Sequence, residues 1–313
     1  MRTGRASALT DTGRRRPHNE DTFVCDPPLF AVADGVGGAQ AGEIASRLAA
    51  AALEERLPGS LGTDTLTALI LEANNRIYTR SLGDPEAAGM GTVMTALLVD
   101  EAAGTIAVGH VGDSRAYRIR AGALEQLTPD HSLVGELVRA GRLTTEEAEQ
   151  HPHRSVITRA VGTEPIVDVH TETFAALPGD LYLICSDGLT DLVRDERVVE
   201  LITSAEGDLE SAVQSLVDAA NSAGGVDNIT VVLFEILDGD PAPPPPRDPT
   251  TVEPDADTAE HAIQPEPPAA ALVAPAVPIQ RHGAGAGGRW LALLAILLAV
   301  AVAAFVIWWS IGR

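Results

Sequence analysis

Through the first 237 residues, short runs of Val, Ile, Leu, Phe and Thr alternate with longer stretches whose apolar residues recur every three or four positions. The short runs predict strands over 23–25, 29–33, 92–99, 105–111, 116–119, 181–185 and 229–236. The longer stretches predict helices over 42–57, 65–82, 195–203 and 209–222, with shorter ones at 133–140 and 144–150. Strands interleaved with helix pairs predict an α+β sandwich for residues 1–237.

Beyond that point the pattern breaks. From 238 to 288 no hydrophobic period survives, four prolines run together at 243–246, and acidic residues are scattered, which predicts a disordered linker. A flexible chain of that length reaches roughly 40 Å or more. Residues 290–309 then form twenty uncharged positions, with Trp290, Trp308 and Trp309 at the ends. At about 1.5 Å per residue the stretch matches a hydrocarbon core of about 30 Å, and the tryptophans fall at its interfaces, so 289–310 is predicted to be a single-pass transmembrane helix. Arg281 and Arg289 precede the span and Arg313 follows it, a weak charge bias that places the N-terminal domain in the cytoplasm at the cell membrane, with no external domain. Met1 to Pro17 carry arginines but no apolar stretch of the kind a secretory signal needs.

Charge narrows the chemistry. The chain carries 22 basic residues, all arginine, against 44 acidic ones, a net charge of −22. Without lysine there is no Walker-A phosphate loop, kinase-type ATP lysine, Schiff base or Ser-x-x-Lys acylase. The acidity argues against nucleic acid as a partner, since affinity there comes mainly from neutralised phosphates. Only Cys25 and Cys185 occur, each within an apolar run, which predicts reduced buried thiols. Ala31 and Asp191 stand where a Cys-x5-Arg loop requires arginine, so thiol-phosphatase chemistry is excluded.

Acidic residues recur at strand ends. Asp34, Asp113 and Asp187 follow predicted strands, Asp227 precedes one, and Glu20-Asp21 stand near the start. Each Asp-Gly alone reads as a turn. If the last strand runs antiparallel to the others, however, all four aspartates meet at one edge of the sandwich. Carboxylates so gathered cannot all stay ionised without cations. Oxygen ligands with no thiolate and no histidine-rich set point to Mg²⁺ or Mn²⁺. Two such ions can generate a hydroxide at neutral pH and stabilise displacement at phosphorus. Arg14, Arg15 and Arg16 offer a guanidinium for the phosphate.

The motifs Asp11-Thr12-Gly13 through Arg16 to Asn19-Glu20-Asp21, Ala33-Asp34-Gly35-Val36-Gly37-Gly38, Gly89-Met90-Gly91-Thr92, Gly112-Asp113-Ser114-Arg115, Ser186-Asp187-Gly188-Leu189 and Asp227-Asn228-Ile229-Thr230 resemble, in order, those of type 2C metal-dependent protein serine/threonine phosphatases. The resemblance covers roughly residues 6–236. It implies an α-β-β-α sandwich of two antiparallel sheets flanked by helices and two Mn²⁺ or Mg²⁺ ions, with a third in bacterial members. It also implies that Asp34 bridges two ions, that the Gly35 carbonyl and Glu20 serve one of them, and that Asp187 and Asp227 complete the other. Asp113 with Asp187 would hold the third ion, approached by Ser155 from a flap over 130–162. Arg16 would bind the phosphate, while Asn228 and Asp21 would support the site. Many eukaryotic members place a histidine, the proposed general acid, where Val36 stands, which leaves protonation of the leaving group unassigned, with metal-bound water as one candidate source. His110, His131, His151 and His153 read as packing, loop or surface residues.

The expected activity is hydrolysis of phosphoserine and phosphothreonine on phosphorylated proteins, membrane Ser/Thr kinases among them, by an enzyme tethered at the membrane. Two alternatives remain open: a phosphoprotein-binding scaffold of the same fold, or a phosphatase acting on an anti-sigma-factor antagonist.

Overall fold

The computed structural model describes residues 1–37, 41–55 and 61–239. The predicted linker over 238–288, apart from its first two residues, and the predicted transmembrane helix over 289–310 lie outside these. Among the described residues no helix is long and apolar enough to cross a membrane.

Ten strands form two antiparallel sheets. The first has the order β1 (Arg2–Asp11), β10 (Ile229–Leu237), β9 (Leu181–Cys185), β6 (Arg115–Arg120), β7 (Ala123–Gln126). The second has the order β2 (Asp21–Asp26), β3 (Leu29–Val36), β4 (Gly91–Asp100), β5 (Thr105–Val111), β8 (His170–Ala175). Helices α1 (Ala41–Leu53) and α2 (Thr63–Gly83) cover the outer face of the second sheet. Helices α6 (Asp195–Ser204) and α7 (Leu209–Ser222) cover that of the first. Short helices α3 (Leu133–Arg139) and α4 (Thr145–Glu149) lie between β7 and β8, and α5 (Asp187–Thr190) follows β9. This is the predicted sandwich.

Side-chain alternation explains why the central strands read as unbroken apolar runs. Along β4, Met94, Ala96 and Leu98 pack under the helices while Leu97 and Val99 pack against the other sheet. Along β10, Ile229, Val231 and Leu233 meet α6 and α7, and Val232, Phe234 and Ile236 fill the space between the sheets. A strand covered on both faces has no polar side to alternate with.

Three strands went unpredicted, β1, β7 and β8, and each stands at a sheet edge. Covered on fewer sides, they carry the polar sequences RTGRASALTD, ALEQ and HTETFA. Helix limits moved little: the element predicted over 209–222 is found there, its amino end capped by Asp208, whereas that predicted over 42–57 ends at Leu53.

The sheets are joined by a stack of aromatic rings. Phe30 and Phe234 lie parallel with centroids 3.9 Å apart, and Tyr182 stacks on Phe234 at 5.3 Å. All three are fully buried. Phe234→Ala removes the middle ring, and we expect a loss of about 3–5 kcal/mol, read as a lower urea midpoint with an unchanged m-value.

Candidate metal and phosphate site

The topology sets where the carboxylates go. Strands β3 and β5 both run antiparallel to β4 and so point the same way. Strands β9 and β10 run antiparallel to one another, which brings the carboxyl end of β9 beside the amino end of β10. Asp34, Asp113, Asp187 and Asp227 therefore share one edge, and the register pairs Asp21 of β2 with Asp34. They border a cleft of ≈ 400 Å³ whose walls include Arg16, Glu20, Asp34, Gly35, Asp113, Asp187, Asp227 and Asn228.

Close backbone approach fixes two of the oxygens. A Cβ on Gly42 would fall 2.8 Å from Glu20 Oε2 and 2.9 Å from the Gly35 carbonyl oxygen, so only glycine lets α1 start against both. The Gly35 N–H donates to the Glu20 carbonyl at 3.2 Å. Thr92 Oγ1 donates to the Asp34 carbonyl at 2.7 Å, which ties β4 to the same corner.

The loop carrying Arg16 and Glu20 is fastened by Asn228. Its side-chain oxygen accepts from the Glu20 N–H at 2.8 Å, and its amide nitrogen donates to the carbonyls of Thr12 and His18, both at 2.9 Å. Arg16 Nη2 lies 2.7 Å from Asp227 Oδ2. Asn228 is thus a support that spans two ends of the chain. Asp21, buried behind Asp34, accepts from Thr230 Oγ1 at 2.6 Å.

The electrostatics are those of a crowded acid cluster. Burial, then repulsion from Asp21, Asp187 and Asp113, pushes Asp34 well above the usual carboxylate range. Burial, then Asp113 and Asp191, does the same to Asp187. Burial raises Asp21 to about 6, and burial followed by repulsion from Asp130 raises Asp113 to about 6. Oδ1 of Asp187 and Oδ1 of Asp21 are buried and accept no hydrogen bond. A buried acceptor left so is costly, and a hard divalent cation is the partner such oxygens suit. Among the described residues no three His, Cys, Asp or Glu side chains close on one point as a finished cage. The donor set thus fits ions that keep part of their shell as water, with the Gly35 carbonyl as a further oxygen.

The segment over 130–162 reaches the cleft from the other side, with Ser155 in its wall beside Arg154 and Ile157. Its root is held by Arg115, which forks onto Asp130 at 2.8 and 2.6 Å, and by paired backbone bonds between Thr92 and Val161 at 3.0 and 2.8 Å. His131 joins root to site: its backbone N–H donates to the Gly112 carbonyl at 2.7 Å, and its Nδ1 accepts from the Gly112 N–H at 3.1 Å. His110 is buried between Thr95 Oγ1 and the Pro129 carbonyl, and His151 and His153 sit in the turn after α4, away from the cleft wall.

Two charged wall residues escaped sequence reasoning. Asp191 follows Asp187 by one helical turn, its N–H bonded to the Asp187 carbonyl at 2.8 Å, and that spacing was a usable signal. Arg154, whose Nε lies 4.0 Å from Asp191 Oδ2, depends on how the flap folds back, and nothing local marks it.

This fold recurs in known proteins. The protein phosphatase 2C sequence profile matches residues 18–222, and the chain belongs to that family. It is similar to the serine/threonine protein phosphatase PstP of Mycobacterium tuberculosis, at 40% identity over 239 residues, covering 75% of this chain and 46% of the relative. The chain thus spans about half the length of that relative. It is 37% identical to the serine/threonine phosphatase stp of Listeria monocytogenes, covering 74% of this chain and 95% of the relative. Among solved structures, the catalytic domain of PstP in complex with two manganese ions superposes with a TM-score of 0.68 at 37% identity, covering 75% of this chain and 98% of that one.

The raised carboxylates give a signed pH dependence. A folded-state pKa above the unfolded value means that the folded protein binds more protons in between, so stability falls as pH rises through that window. With Asp21 and Asp113 at about 6 and Asp34 and Asp187 also raised, the chelator-treated protein should melt higher at pH 5.5 than at pH 8. Mn²⁺ should reduce the difference, as read by scanning calorimetry.

Proposed function

We propose that the protein is a serine/threonine protein phosphatase that hydrolyses phosphoserine and phosphothreonine esters by direct attack of water at phosphorus, with two divalent cations and no phosphoenzyme. The observation that carries this reading is the convergence of Asp34, Asp113, Asp187 and Asp227 with Arg16 in one cleft. Family membership and the manganese-bound relative support it.

In this reading Asp34, Asp187 and Asp227, with the Gly35 carbonyl and Glu20, would hold two Mn²⁺ or Mg²⁺ ions, and Asp113 with Asp187 and Ser155 a third. When bound, such ions supply a nucleophilic water at neutral pH and offset the charge gathering on the phosphoryl oxygens. Arg16 receives the phosphate, its planar fork matching two oxygens. Asn228 sets the position of Arg16 and Glu20 through the loop it fastens. The thiols offer no competing route, because burial pushes Cys185 up to about 12 and raises Cys25 as well.

The tether belongs to the same proposal. The apolar span over 289–310 would anchor the chain in the cell membrane, with the linker over 238–288 letting a cytoplasmic domain reach its targets. A tether raises the effective concentration of neighbouring substrates, and membrane Ser/Thr kinases are the class this arrangement favours.

We expect p-nitrophenyl phosphate hydrolysis that requires Mn²⁺ or Mg²⁺ and is lost on chelation or in Asp34→Ala, by a factor of ~10² or more. Activity persisting in chelator would exclude the mechanism. Cell fractionation should recover the full chain with membranes and a chain cut before Gly239 in the soluble fraction, the latter keeping its activity on the small substrate.

A further inference from the structure

Most arginines among the described residues are matched by an acid: Arg5 by Glu235, Arg76 by Glu55 and Glu72, Arg115 by Asp130, Arg120 by Asp180. Arg14 and Arg15 are exceptions. Both are exposed, and among the described residues neither guanidinium makes a hydrogen bond or ion pair. In a chain of net charge −22, two adjacent unmatched cations stand out electrostatically.

Their backbone is fastened on both sides. The N–H groups of Arg14 and Arg15 donate to the Gly225 carbonyl at 2.7 and 3.1 Å. Upstream, Asp11 Oδ1 accepts from the Gly13 N–H at 2.8 Å and from Asn221 Nδ2 at 3.1 Å. Gly225 has φ +51°, and a Cβ there would fall 2.8 Å from both Cγ and N of Arg14. A Cβ on Gly13 would fall 2.1 Å from the Asp227 carbonyl, so the loop lies directly against the strand end that carries Asp227. The backbone that carries the two charges is thus held in place next to Arg16, which lines the cleft. Folding presents two cations from adjacent positions with neither paired, which leaves both available to an incoming anion.

We propose that Arg14 and Arg15 form a subsite for a second anionic side chain on the substrate polypeptide, a phosphate or a carboxylate near the phosphoryl group that is cleaved. The proposal rests on the phosphatase reading above. Consecutive Cα atoms are about 3.8 Å apart and an extended substrate advances about 3.3 Å per residue. The second anion therefore belongs roughly one to three residues from the scissile phosphoresidue. The small ester p-nitrophenyl phosphate does not reach the subsite and so isolates Arg16 and the carboxylates.

The test compares the full-length protein with its Arg14→Gln/Arg15→Gln variant in Mn²⁺ on phosphothreonine peptides that differ only two residues to either side of the scissile group, carrying Gln, Glu or a second phosphothreonine. Initial rates are read by mass spectrometry. Wild-type kcat/KM should be about fivefold higher with an anionic neighbour, the gain expected of two exposed charge pairs, and should fall with added salt. The variant should lose that gain while keeping its kcat/KM for p-nitrophenyl phosphate and its Mn²⁺ half-saturation. A gain with both anions marks a charge subsite, a gain with phosphate alone a phosphate subsite, and either supports the proposal. It is overturned if the wild type shows no gain or the variant keeps it. It is also overturned if the variant shifts Mn²⁺ dependence and small-ester hydrolysis together, since the arginines would then serve only to balance the acid cluster. Failure of the wild type to hydrolyse p-nitrophenyl phosphate would remove the phosphatase reading and this subsite with it.

Discussion

The burial of mutually repelling carboxylates at one edge is the constraint on which the rest of the molecule depends. Asp21, Asp34, Asp113 and Asp187 all have raised pKa values, and burial is the first cause in each. A soft scaffold would relieve such crowding by letting strand ends drift apart. Two sheets locked by the Phe30, Phe234 and Tyr182 stack, each covered by a helix pair, do not permit that. The stability of the inter-sheet core is therefore the reservoir that keeps the site strained enough to attract cations.

Much of this was legible in the sequence, for physical reasons. Central strands announce themselves because both faces are buried, as in Met94 to Val99, whereas the Asp-Gly pairs that read as turns lie elsewhere, Asp34-Gly35 within β3 and Asp187-Gly188 at the start of α5. The acidic positions stand out because propensity does not ask for aspartate at four strand ends. Edge strands are different. β1, β7 and β8 pair on one side only, and their polar alternation resembles loop sequence. Arg154 was equally hidden, since its place in the cleft wall comes from the fold of the segment over 130–162 rather than from its neighbours in sequence.

The supports of the site come from distant parts of the chain. Asn228, at the start of β10, holds the loop that follows β1, and His131 at the root of the flap holds Gly112 beside Asp113. These contacts explain why the motifs are scattered along the chain: most contribute a wall of the cleft, and Gly89-Met90-Gly91-Thr92 supports one through the bond from Thr92 to the Asp34 carbonyl.

The bond between Arg16 and Asp227, 2.7 Å long, has a thermodynamic consequence. A cation that binds Asp227 competes with the guanidinium for the same carboxylate, and an anion that draws Arg16 away weakens that competition. By reciprocity the anion must tighten the cation by the same factor that the cation tightens the anion. In the proposed site metal occupancy and phosphate affinity would thus be two linked equilibria, with the arginine as the exchange partner through which each is felt by the other.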